Sequence, residues 1–308
     1  VTLVFALPAY EPMLEHLLQA GADALERGTC SFERFAGGEL HVHLGDRVDG
    51  RRCALLASLA PPDEQLLETL LAADTLRDEG ADGLVAVLPY MGYARQDRAE
   101  RGHSAGARWC GRLLRAAGVE RLVTLDVHSE RAAAAFAMPL QSLSPAPLFA
   151  AALADEGPPA GLTLVAPDDG ALERCESVRR AAGVTAPVAL LHKRRDERGV
   201  RHGEIEGELT ERVAVVDDIL DTGGTLVSAC TALRRAGVRS ITVCVTHALF
   251  VGEAWRALPE LGVRRIYATD SSPATLGRAG PLVEVLAAGA LLGTALSAER
   301  QPPVAPAS

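Results

Sequence analysis

The stretch VAVVDDILDTGGTL, residues 213–226, constrains the fold of this chain more than any other. Four apolar residues, 213–216, predict a buried strand, and the pattern after the glycines has helical spacing. Between them lie two adjacent acids, Asp217 and Asp218, a third acid, Asp221, and the turn Thr222, Gly223, Gly224, Thr225. Strand, acidic pair, short glycine turn and helix follow in that order.

That order suits a sugar phosphate. Glycines let the backbone approach a ligand closely, two threonines add hydroxyl donors, and a helix start favours an anion. Carboxylates just before the turn can accept hydrogen bonds from vicinal hydroxyls or hold Mg2+ through water. The plain alternative is a tight strand-to-helix turn with solvated acids. Three acids and two threonines interleaved with the glycines speak against it. No GxxxxGK[ST] loop occurs in the chain.

The rest of the sequence repeats this βα grammar. Strands are predicted over 2–7, 40–44, 53–57, 83–88 and 121–125, with helices over 11–25, 66–77 and 109–117. His41 and His43 alternate with apolar residues, so they share a face that is either a polar strand surface or a metal site. The strand at 83–88 runs into PYMGYARQDR, which places Arg95, Gln96 and Asp97 where open α/β sheets bind ligands. The next strand runs into Asp126 and His128; the histidine reads as a metal ligand, an acid/base group or a hydrogen-bonded structural residue.

Between 142 and 160 the chain is rich in Ala and Pro, and the domain boundary is expected there, giving residues 1–146 and 147–308. Strands then recur over 162–166, 188–191, 240–246 and 265–268, with helices over 171–182, near 252–258 and over the apolar segment 283–298. Residues beyond 299 read as a frayed tail.

Thirty of the thirty-one basic residues are arginine. The single lysine, Lys193, falls in HKRR just beyond a strand, in a polar stretch to residue 204 that reads as a mobile lid or a solvated hairpin. A lone lysine among arginines suggests a site needing a compact, mobile ammonium.

A net charge of −9 argues against a nucleic-acid surface. No run of eighteen uncharged apolar residues occurs and the N-terminus lacks a basic leader, so a soluble cytoplasmic protein with no membrane partner is expected. Six scattered cysteines with no CxxC pair predict reduced, buried thiols.

The 213–226 stretch resembles the phosphoribosyl pyrophosphate loop shared by type I phosphoribosyltransferases and ribose-phosphate pyrophosphokinases. PYMGYARQDR, DVHS, APDDG, HKRR, DDILDTGGT and THALF occur in the order typical of the second family, and the chain resembles it from about residue 35 to 270. The resemblance implies two phosphoribosyltransferase-like α/β domains, each a mostly parallel sheet flanked by helices, with the active site between them. It implies ATP near Phe35, Glu39, Arg95, Gln96 and Asp97, and Mg2+ on His128 and Asp168. Ribose 5-phosphate would lie on Asp217, Asp218, Asp221, Thr222, Gly223, Gly224 and Thr225, with Lys193 and Arg195 as catalytic cations.

The implied reaction moves the diphosphoryl group of MgATP onto the anomeric hydroxyl of ribose 5-phosphate in a homo-oligomer. A catalytically silent subunit of the same fold and a phosphoribosyltransferase are the alternatives. Departures from the family pattern are Gly37, where an acid is usual, which implies looser reading of adenine, and Ala171, Glu173 and the shortened loop RAERGHSAGARW.

Overall fold

A computed structural model describes residues 1–298 except Ala22, Ala99, Glu197 and Arg198, with backbone alone for 194–196 and 199–201. The expected tail beyond 299 lies outside the described residues. The chain forms two compact units, Val1–Leu143 together with the segment from Ala287, and Ser144–Leu286.

The first unit contains β1 (Thr2–Ala6), α1 (Glu11–Ala20), β2 (Leu25–Arg27), β3 (Cys30–Arg34), β4 (Leu40–Leu44), β5 (Cys53–Leu56), α2 (Glu64–Asp78), β6 (Leu84–Leu88), α3 (Gly106–Ala116), β7 (Arg121–Leu125), α4 (Glu130–Phe136) and β8 (Leu140–Leu143). Six strands form a parallel sheet in the order β2-β1-β5-β6-β7-β8, and β3 and β4 pair as a separate antiparallel hairpin. β1, β5, β6 and β7 are almost wholly buried apolar runs, as strands covered on both faces must be.

The second unit contains α5 (Ala146–Asp155), β9 (Leu162–Ala166), α6 (Leu172–Ala181), β10 (Ala189–Asp196), β11 (Gly199–Glu206), β12 (Arg212–Leu220), α7 (Gly224–Arg235), β13 (Ser240–Ala248), β14 (Val263–Thr269), α8 (Pro273–Leu276) and β15 (Val283–Leu286). Its sheet runs β11-β10-β9-β12-β13-β14-β15 and is parallel except for the β10/β11 hairpin. No helix among the described residues is long and apolar enough to cross a membrane.

Several sequence expectations change. The first helix stops at Ala20, where Gly21 caps it through a bond to Leu18 O, and Leu25 pairs with Thr2 in β2. The Ala/Pro-rich stretch is largely α5, which buries Phe149 and Leu153. The pattern near 252–258 forms only a short 3-10 turn, Ala254–Ala257. Of the two readings of the basic stretch after residue 191, the hairpin is the one formed, because β10 continues to Asp196 and returns as β11.

The segment 283–298 is not one helix. Val283 and Val285 extend the parallel sheet beside β14, and a helix, α9 (Gly289–Ala298), starts only afterwards. That helix belongs to the first unit; the boundary lies between Leu143 and Ser144, and the described residues from Ala287 return to the first unit instead of staying in the second. Backbones cross closely where α9 meets α1. A Cβ on Gly293 would lie 2.1 Å from Leu17 O, so only glycine fits there.

All six cysteines are free, five of them buried and Cys30 half-buried. Burial pushes the Cys53 thiol up to about 11 and the Cys110 and Cys230 thiols up to about 12. They are inert packing groups at neutral pH.

Candidate active site

In the second unit, β9 and β12 are neighbouring parallel strands whose carboxyl ends open at the same edge. β12 carries Asp217 and Asp218 there, each only 8% exposed, and Asp217 Oδ1 accepts the Asp218 N–H at 2.9 Å. Burial pushes the Asp217 carboxyl well above its usual range. The charges of Asp218 and Asp168 add to that push, and Arg174 in α6 opposes it. Arg174 was not singled out in the sequence, although its place one residue after Glu173 put it at the start of the same helix.

Asp168 lies at the end of β9, half-buried, and Lys193 Nζ donates to its Oδ2 at 2.9 Å. The lysine therefore reaches the acid that the family resemblance assigns to metal. Ala171, the departure from glycine after APDDG, sits at φ −92°, ψ −8°, a conformation any residue adopts, so the turn keeps its shape without glycine.

The turn after β12 is built around Gly223. It caps α7 at φ +89°, and a Cβ there would lie 2.7 Å from both Cα and Cβ of Trp255. Only glycine meets both conditions. The first backbone bond of α7 runs from Val227 N to Gly223 O at 2.8 Å, so the amides of residues 224–226 precede the helical ladder and point out of its positive end. Thr222 and Gly224 are exposed beside them, Asp221 and Thr225 half-buried. An added Cβ on Gly224 would meet only Thr222 Oγ1, at 3.8 Å, which leaves open space above the amides.

The β10/β11 hairpin brings Lys193 opposite His202. His202, not singled out in the sequence, is buried, and its Nε2 lies 2.7 Å from Pro167 O. Burial holds its imidazole below the ordinary range; the Pro167 carbonyl opposes that shift, and the nearby ammonium of Lys193 reinforces it. Arg195 follows on β10, but its side chain lies outside the described residues.

In the first unit, β6 and β7 are adjacent and parallel, so the loops after them emerge at one end of the sheet. Ser129 Oγ donates to Asp97 Oδ2 at 3.2 Å and accepts the Ala132 N–H at 3.0 Å, which ties the two loops together and caps α4. Gln96 Oε1 accepts from Ser104 Oγ at 2.9 Å, while Arg95 and His128 are exposed. Tyr93 and Asp126 adopt positive φ, 63° and 41°, in these two loops. Such strained backbone persists only where the surroundings enforce it.

The β3/β4 hairpin presents Phe35, 59% exposed, with its ring centroid 5.2 Å from that of His41. Glu39 is exposed in the same turn, whose Arg34 holds Gly38 O at 2.8 Å. His41 thus packs against Phe35 with the ring planes tilted by 38°. Among the described residues no three His, Cys, Asp or Glu side chains are grouped to hold a metal ion, either at His41 and His43 or elsewhere.

Comparison with known proteins gives this arrangement a context. Residues 4–118 match the model for the N-terminal domain of ribose phosphate pyrophosphokinase, and residues 150–256 match the phosphoribosyl transferase domain. A ribose-phosphate pyrophosphokinase of Thermosipho africanus is 34% identical over 79% of this chain and 78% of its own. Ribose-phosphate pyrophosphokinase 2 of Enterococcus faecalis is 30% identical over 95% of this chain and 91% of its own. The crystal structure of phosphoribosylpyrophosphate synthetase from Mycobacterium smegmatis superposes with a TM-score of 0.85 at 27% identity, covering 97% of this chain and 98% of that one. With both domains matched in order and relatives spanning nearly its whole length, the chain belongs to the ribose-phosphate pyrophosphokinase family.

Proposed function

We propose that this protein is an active ribose-phosphate diphosphokinase. It transfers the β,γ-diphosphoryl group of ATP to the anomeric hydroxyl of ribose 5-phosphate, releasing phosphoribosyl pyrophosphate and AMP. The observation that carries this reading is the Lys193–Asp168 pair in the same unit as the Asp217/Asp218 acids and the Gly223–Gly224 cradle. A silent subunit of this fold has no use for a half-buried ammonium held at that sheet edge.

Each group has a physical task. The amides of residues 224–226, with the Thr222 and Thr225 hydroxyls and Asp221 beside them, hold the 5-phosphate. Asp217 and Asp218 accept hydrogen bonds from the ring hydroxyls. Lys193 and Arg195 serve as the cations for the negative charge that accumulates as the anomeric oxygen attacks phosphorus in line, and this transfer asks for alignment and charge stabilisation more than covalent help. Arg95, Gln96 and Asp97 contact the nucleotide, and Phe35 supplies an exposed ring for a base with Glu39 at its edge.

The chemistry that Mg2+ supplies in such transfers is neutralisation of charge on the phosphate oxygens. His128 and Asp168 would hold it. Mg2+ commonly takes one or two protein ligands and completes its shell with phosphate and water, so one imidazole and one carboxylate are a sufficient protein contribution. A homo-oligomer in which Phe35 and Glu39 serve a neighbouring copy belongs to the same reading, as does a cytoplasmic setting, which six unpaired cysteines support.

The test is to incubate the protein with Mg2+, ATP and ribose 5-phosphate. Stoichiometric AMP and phosphoribosyl pyrophosphate are expected. AMP formation that does not depend on ribose 5-phosphate, or none at all, rejects the proposal.

A further inference from the structure

We infer that His202 is a positioning residue that fixes Lys193 at Asp168 and ties the β10/β11 hairpin to the helix of the glycine cradle. This inference rests on the reading of Lys193 as a catalytic cation and adds a residue to it.

The hairpin has an irregular register at this point. Leu191 pairs with Ile205 and Lys193 with His202, so the single residue His192 faces two on β11, Gly203 and Glu204. A bulge of this kind bends the strand and re-aims the side chains next to it. As direct cross-strand partners, Lys193 and His202 project from the same face of the ribbon. They grip consecutive residues of the turn after β9, His202 Nε2 on the carbonyl of Pro167 at 2.7 Å and Lys193 Nζ on the carboxylate of Asp168 at 2.9 Å.

A carbonyl only accepts, so Nε2 carries the proton and donates. The other ring nitrogen, Nδ1, is buried and meets no donor among the described residues. The backbone amide of His202 donates to Ser228 Oγ in α7 at 2.9 Å. One residue therefore connects the lysine's strand, the acid's turn and the helix whose first amides form the cradle. Lys193 has a long flexible stem, and its ammonium is placed by what holds the hairpin down. His202 provides that hold without touching a reacting atom.

The geometry dictates which variants discriminate. Only Nε2 is bonded, so His202→Gln can keep a donor near Pro167 O, whereas His202→Leu fills the space without one. Expected for His202→Leu is a loss of about tenfold or more in kcat with KM for ATP and ribose 5-phosphate within about twofold of wild type. His202→Gln should return kcat to within about threefold. In a Lys193→Ala background, His202→Leu should lower kcat no further, because groups acting as one unit are not additive.

Ser228→Ala, which removes the acceptor of the His202 amide and leaves the imidazole in place, should also lower kcat and not KM; it carries the test if His202→Leu does not fold. Unchanged kcat in both His202→Leu and Ser228→Ala, or losses that multiply with Lys193→Ala, would overturn the inference. If Lys193→Ala itself keeps normal turnover, the reading of the lysine has failed instead.

Discussion

Gly223 and Gly224 stand side by side in the cradle and are predicted to fail in opposite ways. In Gly223→Ala the new Cβ meets Trp255 Cα and Cβ at 2.7 Å and Trp255 N at 2.8 Å, none of which is the free end of a side chain. Holding alanine in a left-handed conformation costs about 1–2 kcal/mol, and forcing the turn away from Trp255 costs about 1–3 kcal/mol more. The sum is roughly 2–5 kcal/mol. At ~2–4 °C per kcal/mol for a unit of this size, melting should fall by roughly 4–20 °C.

Gly224→Ala is different, because it starts α7 without a positive φ and its Cβ would meet nothing closer than 3.8 Å. Reduced freedom of the unfolded chain should leave the variant as stable as wild type or up to about 1 kcal/mol more so. The added methyl nevertheless stands where a phosphate must approach the amides. KM for ribose 5-phosphate is therefore expected to rise at least about tenfold, equivalent to ~1.4 kcal/mol. Differential scanning fluorimetry with and without ribose 5-phosphate, followed by steady-state kinetics, separates the two effects. A Gly223→Ala protein that melts like wild type, or a Gly224→Ala protein with unchanged KM, would refute the reasoning.

Lys193→Ala should lower kcat on the order of a hundredfold with little change in either KM, and Lys193→Arg should not restore it, since a planar guanidinium differs in shape and hydration from the ammonium held at Asp168; near-normal steady-state turnover in either variant rejects this. Asp217 is pushed up in the folded state, so the native carboxyl resists ionisation and stability is lost as pH rises from the unfolded carboxylate range through the raised folded value. Asp217→Asn, with chelator present, should therefore melt higher than wild type near neutrality and alike at about pH 3, where both carboxyls are protonated; a gain confined to low pH would reverse the sign. Gly37→Asp should leave melting unchanged, because a Cβ at Gly37 meets nothing within 4 Å, and should sharpen preference for ATP over GTP, read as the ratio of kcat/KM. Gly293→Ala should lower stability by ~1–3 kcal/mol through overlap with Leu17 O in α1, which a lower melting temperature in a thermal scan checks.

Long apolar runs were the legible part of the sequence. β6, β7, β9 and β12 are buried on both faces, as the strands of a parallel sheet covered by helices on each side are. The cradle was legible because its glycines and acids are contiguous. Less legible were features decided by distant partners. Val283 and Val285 look like part of an apolar helix until β14 offers them an edge, and the polar run after Leu191 looks like a loop until it pairs with itself. His202 and Arg174 carried no local signal, since their importance comes from Pro167 and Asp217, thirty-five and forty-three residues away in the chain.

The return of α9 to the first unit also sets an order of assembly. Every strand of the second unit emerges from the ribosome before the strip that covers Met13 and Leu17 has been made. The nascent first unit must wait with that surface bare while an entire neighbour is synthesised. Losing α9, one of the last elements to be made, would thus injure the portion of the protein translated first.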